Sequence, residues 1–165
     1  MSMSLPDYAL DDADLLARCD EQAGQARGPG GQHANRTASA VRLVHRSSGI
    51  DAVCSDMRER LANRRRALRH LRLRLACAQR GQADPAWVAS RRQGQRLPVT
   101  AAASGYHLVV AVLLDALDAH QGRLAPAAAA LGISSSQLVR VLRADKQVAQ
   151  AANGLRGRYG QGDLR

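Results

Sequence analysis

The stretch Arg27-Gly28-Pro29-Gly30-Gly31-Gln32-His33-Ala34-Asn35-Arg36-Thr37 decides how the rest of the chain is interpreted. Three glycines and one proline fall within residues 28–32. This composition is incompatible with a regular helix or a central strand, because glycine is too free and proline lacks a backbone donor. The stretch has few side chains to bury, so it predicts an exposed loop.

The main chain of this loop is suited to stabilising a transition state. Gly30 and Gly31 let the backbone approach a ligand closely, so that a backbone N–H can donate to a developing oxyanion. Losing one such donor typically costs roughly 3–4 kcal/mol of transition-state stabilisation. Gln32 adds a neutral amide that can position water. His33 is the nearest candidate base, but a structural or RNA-contacting role suits it better. The loop therefore contains no strong base, and a partner active site has to complete it.

Three other interpretations of residues 28–32 have to be weighed. A phosphate-binding loop requires GxxxxGK[ST] or GxGxxG, and neither pattern is present. An ordinary glycine-rich turn is the more frequent explanation when these five residues are considered alone. A freestanding metabolic hydrolase is disfavoured because no nucleophile–base pair or metal cluster accompanies the loop. The three cysteines lie far apart and predict reduced core residues, so neither a metal nor a cofactor is expected.

Charge and composition indicate a polyanionic partner. The chain has 24 basic and 14 acidic residues, a formal net charge of +10, and every basic residue except Lys146 is arginine. Guanidinium groups bind phosphates in two-point geometry, although genomic base composition also produces many arginines. The longest apolar run, 108–114, is too short to cross a bilayer, and the acidic N-terminus does not resemble a targeting signal. We therefore expect a soluble, cytoplasmic protein without a membrane partner.

Hydrophobic patterning predicts an α+β domain over residues 10–80. The elements before the long helix are a disordered stretch (1–9), a short helix (11–18), an extended segment (19–26), the loop, a strand (39–45), a turn (46–49) and a second strand (50–54). Val41 and Leu43 face one way and Arg42 and Val44 the other, which is the alternation of a half-buried strand. The two strands and their turn predict a β-hairpin.

A long basic helix is predicted over residues 56–79, which contain neither proline nor glycine. An apolar stripe at helical spacing, interrupted by Arg64, runs beside a stripe of arginines. The apolar stripe comprises Met57, Leu61, Leu68, Leu71 and Leu75, and the arginine stripe comprises Arg58, Arg65, Arg69 and Arg72. Eight arginines lie between positions 58 and 74 with only Glu59 to offset them, so we predict that RNA lies against this face.

An all-helical module is predicted over residues 105–160, after a polar linker at 81–104. Its features are an apolar stripe from Tyr106 to Leu117, a helix-turn-helix spacing over 124–143 with Gly132 and Ile133 in the turn and Ser134 as cap, and a last helix over about 145–155. The second helix of the pair carries Ser135, Gln137, Arg140 and Arg143. We expect this module to have a further partner.

The residues around the loop carry a specific resemblance. The eighteen residues from Gly28 to His45 run without a gap against the GGQ domain of class I peptide chain release factors, and residues 48–50 continue the similarity. The likeness covers about residues 12–78 and includes Arg58, Asn63, Arg64, Ala67, Leu68 and Leu71. The chain departs from the usual family pattern at Arg27, Ala34, Ser47 and residues 58–60. None of these departures falls within the GGQ triplet.

The resemblance implies that Gly30, Gly31 and Gln32 are catalytic and reach the peptidyl-transferase centre of the ribosome. The backbone amide of Gln32 would stabilise the transition state while water attacks the peptidyl-tRNA ester. This glutamine is also a candidate for N-methylation by a glutamine methyltransferase. The expected RNA-binding residues are Arg27, His33, Asn35, Arg36, Arg42, Arg58, Arg65, Arg69 and Arg72. The implied partners are 23S-type ribosomal RNA and peptidyl-tRNA.

The length of the chain before the loop predicts the subtype. About 27 residues precede the loop, too few for the N-terminal and codon-recognition domains of a stop-codon-reading factor. We therefore predict codon-independent peptide release on stalled ribosomes or large subunits, that is, ribosome rescue. Residues 155–165 contain only three arginines and one aspartate, unlike the disordered basic tail of one type of rescue factor. A non-catalytic alternative stays open, in which the helix-turn-helix module binds the ribosome or a nucleic acid.

Overall fold

Two short helical segments, a three-stranded antiparallel sheet and a long helix come first along the chain and five further helices follow, so the fold is α+β as predicted. The computed structural model describes residues 5–23 and 39–165. The glycine-rich loop that decides the interpretation of the sequence therefore lies outside the described residues. The chain divides into two compact units, Met1–Leu75 and Ala76–Arg165.

Alternating side chains build the sheet of the first unit. The strands are β1 (Cys19–Ala23), β2 (Val41–His45) and β3 (Asp51–Cys54), with β2 antiparallel to both neighbours. In β2, Val41 and Leu43 are buried and Arg42 is exposed, as a period of two predicts. Gly49, with φ of 70°, closes the turn between β2 and β3, and its N–H donates to the carbonyl of His45 (2.8 Å). The predicted hairpin is confirmed.

The first described residues belong to the folded unit, so the disorder predicted for residues 1–9 is wrong for residues 5–9. Asp7–Ala9 form a 3₁₀ turn in which Tyr8 is fully buried. The short helix α1 (Asp12–Ala17) follows, with Leu15 buried as predicted. The prediction failed because one isolated aromatic residue has no periodicity, and its burial depends on residues that are distant in the sequence.

The long basic helix α2 (Arg60–Ala78) begins later than the sequence predicts. Its buried residues are Asn63, Ala67, Leu68, Leu71, Arg72, Leu75 and Ala76. Two members of the predicted apolar stripe are not among them, because Met57 is 40% exposed and Leu61 is 54% exposed. This part of the prediction is wrong because the side chain of Asn63, at 0% exposure, takes the inward-facing place near the start of the helix.

The helix α4 (Tyr106–Ala119) lies at the centre of the second unit. It contacts α3 (Ala86–Ala89), α5 (Leu124–Ala130), α6 (Ser135–Arg143) and α7 (Lys146–Arg158). The predicted apolar stripe is confirmed, and Ala111 and Val112 outside that stripe are buried as well, because neighbours cover the helix on several sides. Even so, within the part of the chain that the structure describes, no helix is both long and apolar enough to cross a membrane.

Helices α5 and α6 form the predicted helix-turn-helix. Gly132 occupies the turn with φ of 67°, and Ile133 is buried beneath it. Ser134 caps α6, since its Oγ accepts the N–H of Gln137 (3.3 Å). The predicted turn, plug and cap are all confirmed.

Residues 81–104, for which the sequence predicts a polar linker, pack within the second unit. They contain α3 and bury three apolar side chains, those of Val88, Leu97 and Val99. The N–H of Ser134 donates to the carbonyl of Gln95 (3.1 Å), which joins this segment to the start of α6. We call residues 95–99 the strap. The domain boundaries at 80 and 105 remain a prediction. The segment is polar on average, so its composition does not indicate that tertiary contacts bury these three apolar side chains.

The three cysteines are free thiols, as predicted. Cys19 and Cys54 are buried and Cys77 is half-buried. Burial raises the pKa of the Cys77 thiol to about 11, although the guanidinium of Arg80 acts in the opposite direction. At neutral pH this thiol is protonated and a poor nucleophile. Across residues 5–23 and 39–165, no group of three His, Cys, Asp or Glu side chains is arranged to hold a metal ion.

Candidate functional site

Seven predicted site residues fall in the stretch 24–38, outside the described residues. They are Arg27, Gly30, Gly31, Gln32, His33, Asn35 and Arg36. Their roles stay predictions. The described strands show where the chain departs toward this stretch and where it returns, because Ala23 at the end of β1 pairs with Val41 at the start of β2.

A buried asparagine fixes the chain where it returns from residues 24–38. Asn63 Nδ2 donates to the carbonyl oxygens of Ser39 (2.8 Å) and Met57 (2.9 Å), and its Oδ1 accepts the N–H of Met57 (2.9 Å). Ser39 Oγ donates to the same Met57 carbonyl (3.0 Å), and Cys54 Sγ lies 3.4 Å from Asn63 Oδ1. We call Ser39, Cys54, Met57 and Asn63 the asparagine cluster. It joins β3, the start of α2 and the first residue after the stretch.

Sequence reasoning includes Asn63 in the resemblance but assigns it no role. The signal for such a role is present, since Asn63 is a single amide one turn before Ala67 on the inner face of α2. Buried amides in proteins are almost always hydrogen-bonded, so this position predicts a set of backbone partners. Which backbone groups these are is decided by tertiary structure, because Ser39 is distant in the sequence.

Carboxylates from other parts of the chain pair with most of the arginines between positions 58 and 74. This corrects the expectation that only Glu59 offsets them. The pairs are Arg60 and Arg64 with Glu21 (3.0 and 2.7 Å), Arg66 with Asp56 (3.3 Å), Arg72 with Asp12 (2.7 Å) and Arg74 with Asp51 (3.2 Å). The exposed pairs among these, that is, all but Arg72 with Asp12, contribute roughly 0.2–1 kcal/mol each. The repulsion between these arginines is therefore relieved within the fold and does not itself require RNA.

The pairing of Glu21 with two arginines is visible in its ionisation. Partial burial acts to raise the pKa of Glu21, but hydrogen bonds from Arg60 and Arg64 outweigh it, and the pKa is lowered. A lowered carboxyl pKa means that the pair stabilises the fold above the ordinary pKa of glutamate and that this stabilisation is lost as the pH falls. At neutral pH the β1 strand is therefore fastened to α2 by an ionised carboxylate.

Three predicted RNA-binding arginines, Arg58, Arg65 and Arg69, are exposed. Among the residues that the structure describes, the side chains of Arg58 and Arg65 have no hydrogen-bond or ion-pair partner. Their positive charge is therefore uncompensated. Such guanidinium groups are suited to contacting the phosphates of a nucleic acid without first breaking a protein ion pair.

Arg42 is also exposed, but it braces the sheet. Its Nε donates to Asp51 Oδ2 (2.8 Å) on β3, and its Nη1 donates to Gln22 Oε1 (3.2 Å) on β1. The side chain thus links all three strands on the face opposite Val41 and Leu43. This geometry is consistent with the predicted role in holding the base of the loop, and the predicted contact with RNA stays a prediction.

Arg72 has a different environment from the rest of its predicted stripe. It is only 9% exposed, and its Nη1 donates to the carbonyl oxygens of Tyr8 (3.0 Å) and Leu10 (2.5 Å). Its Nη2 donates to Asp12 Oδ1 (2.7 Å). The guanidinium therefore fastens the N-terminal segment to α2, and its donors are engaged within the fold. We leave Arg72 out of the proposed RNA-binding residues.

Replacing Arg72 with alanine should lower the free energy of unfolding by about 2–3 kcal/mol, because the carbonyls of Tyr8 and Leu10 lose their buried donor. Urea denaturation of the two variants measures the effect. Arg65→Ala on the same helix is the matched control and should change stability by less than about 0.5 kcal/mol, since Arg65 is exposed. Equal stability of the two variants would contradict the fastening role.

The sheet, the asparagine cluster and α2 all lie within one recognisable sequence region. Residues 13–103 match the RF-1 domain family, which is more than half of the chain. The chain belongs to the RF-1 domain family. Every predicted catalytic and RNA-binding residue lies inside the RF-1 domain. The domain also extends past α2 and includes α3 and the strap.

Curated relatives are similar to the RF-1 domain of this chain and to little else. Peptide chain release factor 1 of Caldicellulosiruptor bescii is 55% identical over 51 residues, which are 31% of this chain and 14% of that protein. The protein of the same name from Symbiobacterium thermophilum is 52% identical over 52 residues, 32% of this chain and 15% of that protein. The protein of the same name from Kineococcus radiotolerans is 42% identical over 72 residues, which are 44% of this chain and 20% of that protein. This chain thus spans a fifth or less of these relatives.

Proposed function

We propose that this protein hydrolyses the ester bond of peptidyl-tRNA on the ribosome, independently of a stop codon, with Gly30, Gly31 and Gln32 at the reactive tip. The observation that carries the proposal is the RF-1 domain match over residues 13–103, since the GGQ triplet lies inside it. The relatives that match are named peptide chain release factors. A ribosome-dependent, release-type hydrolase is the activity that fits this region.

In the proposed mechanism the two glycines bring the main chain close to the ester, and the backbone N–H of Gln32 donates to the oxygen that gains negative charge. Water attacks the ester carbon, the bond from that carbon to the tRNA oxygen breaks, and one proton of the water passes to that oxygen, so the products are a peptide carboxylic acid and a tRNA with a free hydroxyl group. The side-chain amide of Gln32 positions the water. The ribosomal peptidyl-transferase centre completes the site, because the motif itself contains no strong base.

The described residues supply a rigid base for this tip. Arg42 links β1, from which the chain departs, and β2, to which it returns, with β3, and the asparagine cluster fixes the chain at Ser39. Exposed arginines beside this base, Arg58, Arg65 and Arg69, are suited to contacting the phosphates of large-subunit ribosomal RNA. The proposed partners are therefore ribosomal RNA and peptidyl-tRNA in the cytoplasm, and a methyltransferase that modifies Gln32.

Release from defined ribosome complexes tests the proposal. The purified chain is added to complexes that carry labelled peptidyl-tRNA next to an empty, a sense-codon or a stop-codon A site, and the freed peptide is measured. We expect release that does not require the stop codon. Release only with a stop codon would contradict the codon-independent part. No release from any complex, combined with ribosome binding, would favour the non-catalytic alternative.

A further inference from the structure

A groove of about 800 Å³ lies beside α6 in the second unit and has no role in the proposed hydrolysis. Six of its lining residues carry guanidinium or hydroxyl donors: Arg140, Arg143, Arg165, Thr100, Ser135 and Ser136. The rest of the lining consists of two alanines and a valine. No Asp or Glu side chain lines the groove, whereas three guanidinium groups do, so its lining side chains carry a net positive charge.

The positive charge of the groove is not cancelled by neighbouring groups. Arg140 donates to the carbonyl oxygens of Val99 (3.3 Å) and Leu97 and to Gln137 Oε1, all of which are neutral. Its guanidinium is thus held in place with its charge intact. The side chain of Arg143, the second lining arginine on α6, forms no hydrogen bond or ion pair with any residue that the structure describes.

The nearest acidic residue in the sequence has another task. Asp145 Oδ1 accepts the N–H groups of Gln147 (2.8 Å) and Val148 (3.1 Å), and thereby caps α7. It does not line the groove. Residues 76–165 as a whole carry eleven Lys and Arg residues against five Asp residues, so this unit attracts anions.

The last residues of the sequence are fastened so that Arg165 stays at the groove. Arg156 Nε donates to the carbonyl of Gly162 (2.7 Å), and the N–H of Leu164 donates to Asn153 Oδ1 (2.9 Å). Arg156 and Asn153 both belong to α7, so these two hydrogen bonds hold residues 162–164 against that helix. The third guanidinium is therefore part of a formed surface.

We propose that this groove binds the phosphate–ribose backbone of RNA, independently of base sequence. Guanidinium and hydroxyl groups are the donors that proteins use for phosphate and sugar contacts. Arg140 and Arg143 are three residues apart on a helix, so they project from the same side. The lining contains no aromatic side chain on which a base could stack and no large apolar anchor for a peptide, which disfavours base reading and a protein partner.

The choice of RNA over DNA rests on the proposed function, because that function brings the chain to the ribosome. In that setting the second unit would add an anchoring contact to ribosomal RNA or tRNA. The helix-turn-helix would then supply shape and charge, with its second helix beside the RNA backbone. This deepens the proposed function by giving residues 95–165 a partner of defined chemistry.

Salt-dependent binding of the full chain to a labelled RNA duplex of about 20 base pairs tests the groove. We compare Arg143→Gln and the double variant Arg143→Gln/Arg165→Gln with Arg158→Gln, which removes an exposed arginine of α7 outside the groove. Arg140 is left intact because it also holds the strap. Arg143→Gln should weaken binding about tenfold near 0.1 M salt and reduce the slope of log K against log salt by roughly one. The double variant should reduce the slope by roughly two, and Arg158→Gln should leave it unchanged.

Identical RNA binding by Arg143→Gln and Arg158→Gln would overturn the proposal. Duplex DNA of the same sequence and polyglutamate serve as further probes. If Arg143→Gln weakens binding to either of these but not to RNA, the partner is DNA or an acidic protein and the RNA assignment is wrong. Groove-dependent RNA binding by a chain that releases no peptide would support the groove and contradict the proposed hydrolysis. Peptide release by the wild-type chain, together with RNA binding that Arg143→Gln does not weaken, would support the proposed hydrolysis and contradict the groove.

Discussion

Gly31→Ala should slow peptide release by a factor of roughly 100–1,000, the effect of losing one preorganised oxyanion donor. A methyl group on this residue narrows its backbone freedom and keeps the main chain from approaching the ester closely. Gln32→Ala should slow release as well, although it retains the backbone N–H and removes only the amide that positions water. The ratio of the two effects separates the main-chain contribution from the side-chain contribution.

Single-turnover release with ribosome complexes in excess measures both variants. Co-sedimentation with ribosomes shows that each variant still binds, and urea denaturation shows that each still folds. The matched control is Arg158→Gln, an exposed change in the second unit, which should release peptide at the wild-type rate. Unchanged release by either Gly31→Ala or Gln32→Ala would overturn the assignment of the GGQ triplet.

Asn63→Ala should lower the free energy of unfolding by about 3 kcal/mol, the largest stability effect that we expect from one substitution. The change leaves the N–H of Met57 and the carbonyl of Ser39 without their buried partner, and each unsatisfied group costs roughly 1–3 kcal/mol. It also opens a space in a fully buried position. Urea denaturation at neutral pH measures the loss.

The near-isosteric Asn63→Asp variant sharpens this test. It keeps the volume but replaces the Nδ2 donor by a second acceptor, which then faces the carbonyl oxygens of Ser39 and Met57. We expect it to be at least as destabilising as Asn63→Ala at neutral pH, because a buried negative charge is costly and its second oxygen would face only acceptors. If Asn63→Asp has wild-type stability, the donor role of Nδ2 is wrong, and the volume of the side chain alone accounts for the stability that Asn63 contributes.

Much of the local structure could be predicted because the signals are local. Alternation in residues 41–44 predicts a half-buried strand, and Ser134 predicts a helix cap three residues before the N–H that it accepts. The stripe that begins at Tyr106 predicts the buried side of α4. Each of these patterns repeats within a few residues, every second residue in a strand and every three or four in a helix. Spacing in the sequence is therefore enough to predict the element and its buried side.

The predictions that failed depend on partners that are far apart in the sequence. Met57 and Leu61 fit the apolar period of the long helix, but a buried amide network takes the inner position instead. Arg72 fits a solvent-facing stripe, but it is the donor that the carbonyl of Tyr8 requires. Residues 81–104 are polar on average, yet the side chains of Val88, Leu97 and Val99 are buried. Periodicity cannot reveal such pairings.

The sequence by itself determined the family to which this protein belongs, because the RF-1 domain match covers one continuous stretch, and the GGQ triplet on which the proposed chemistry rests lies inside that stretch. Only the tertiary structure decided which arginines keep an uncompensated charge. Glu21 neutralises Arg60 and Arg64 from another strand, whereas Arg58 and Arg143 have no such partner among the described residues. The physical reason is that ion pairing requires two groups within a few ångströms, and folding brings them together across separations that a linear pattern does not encode.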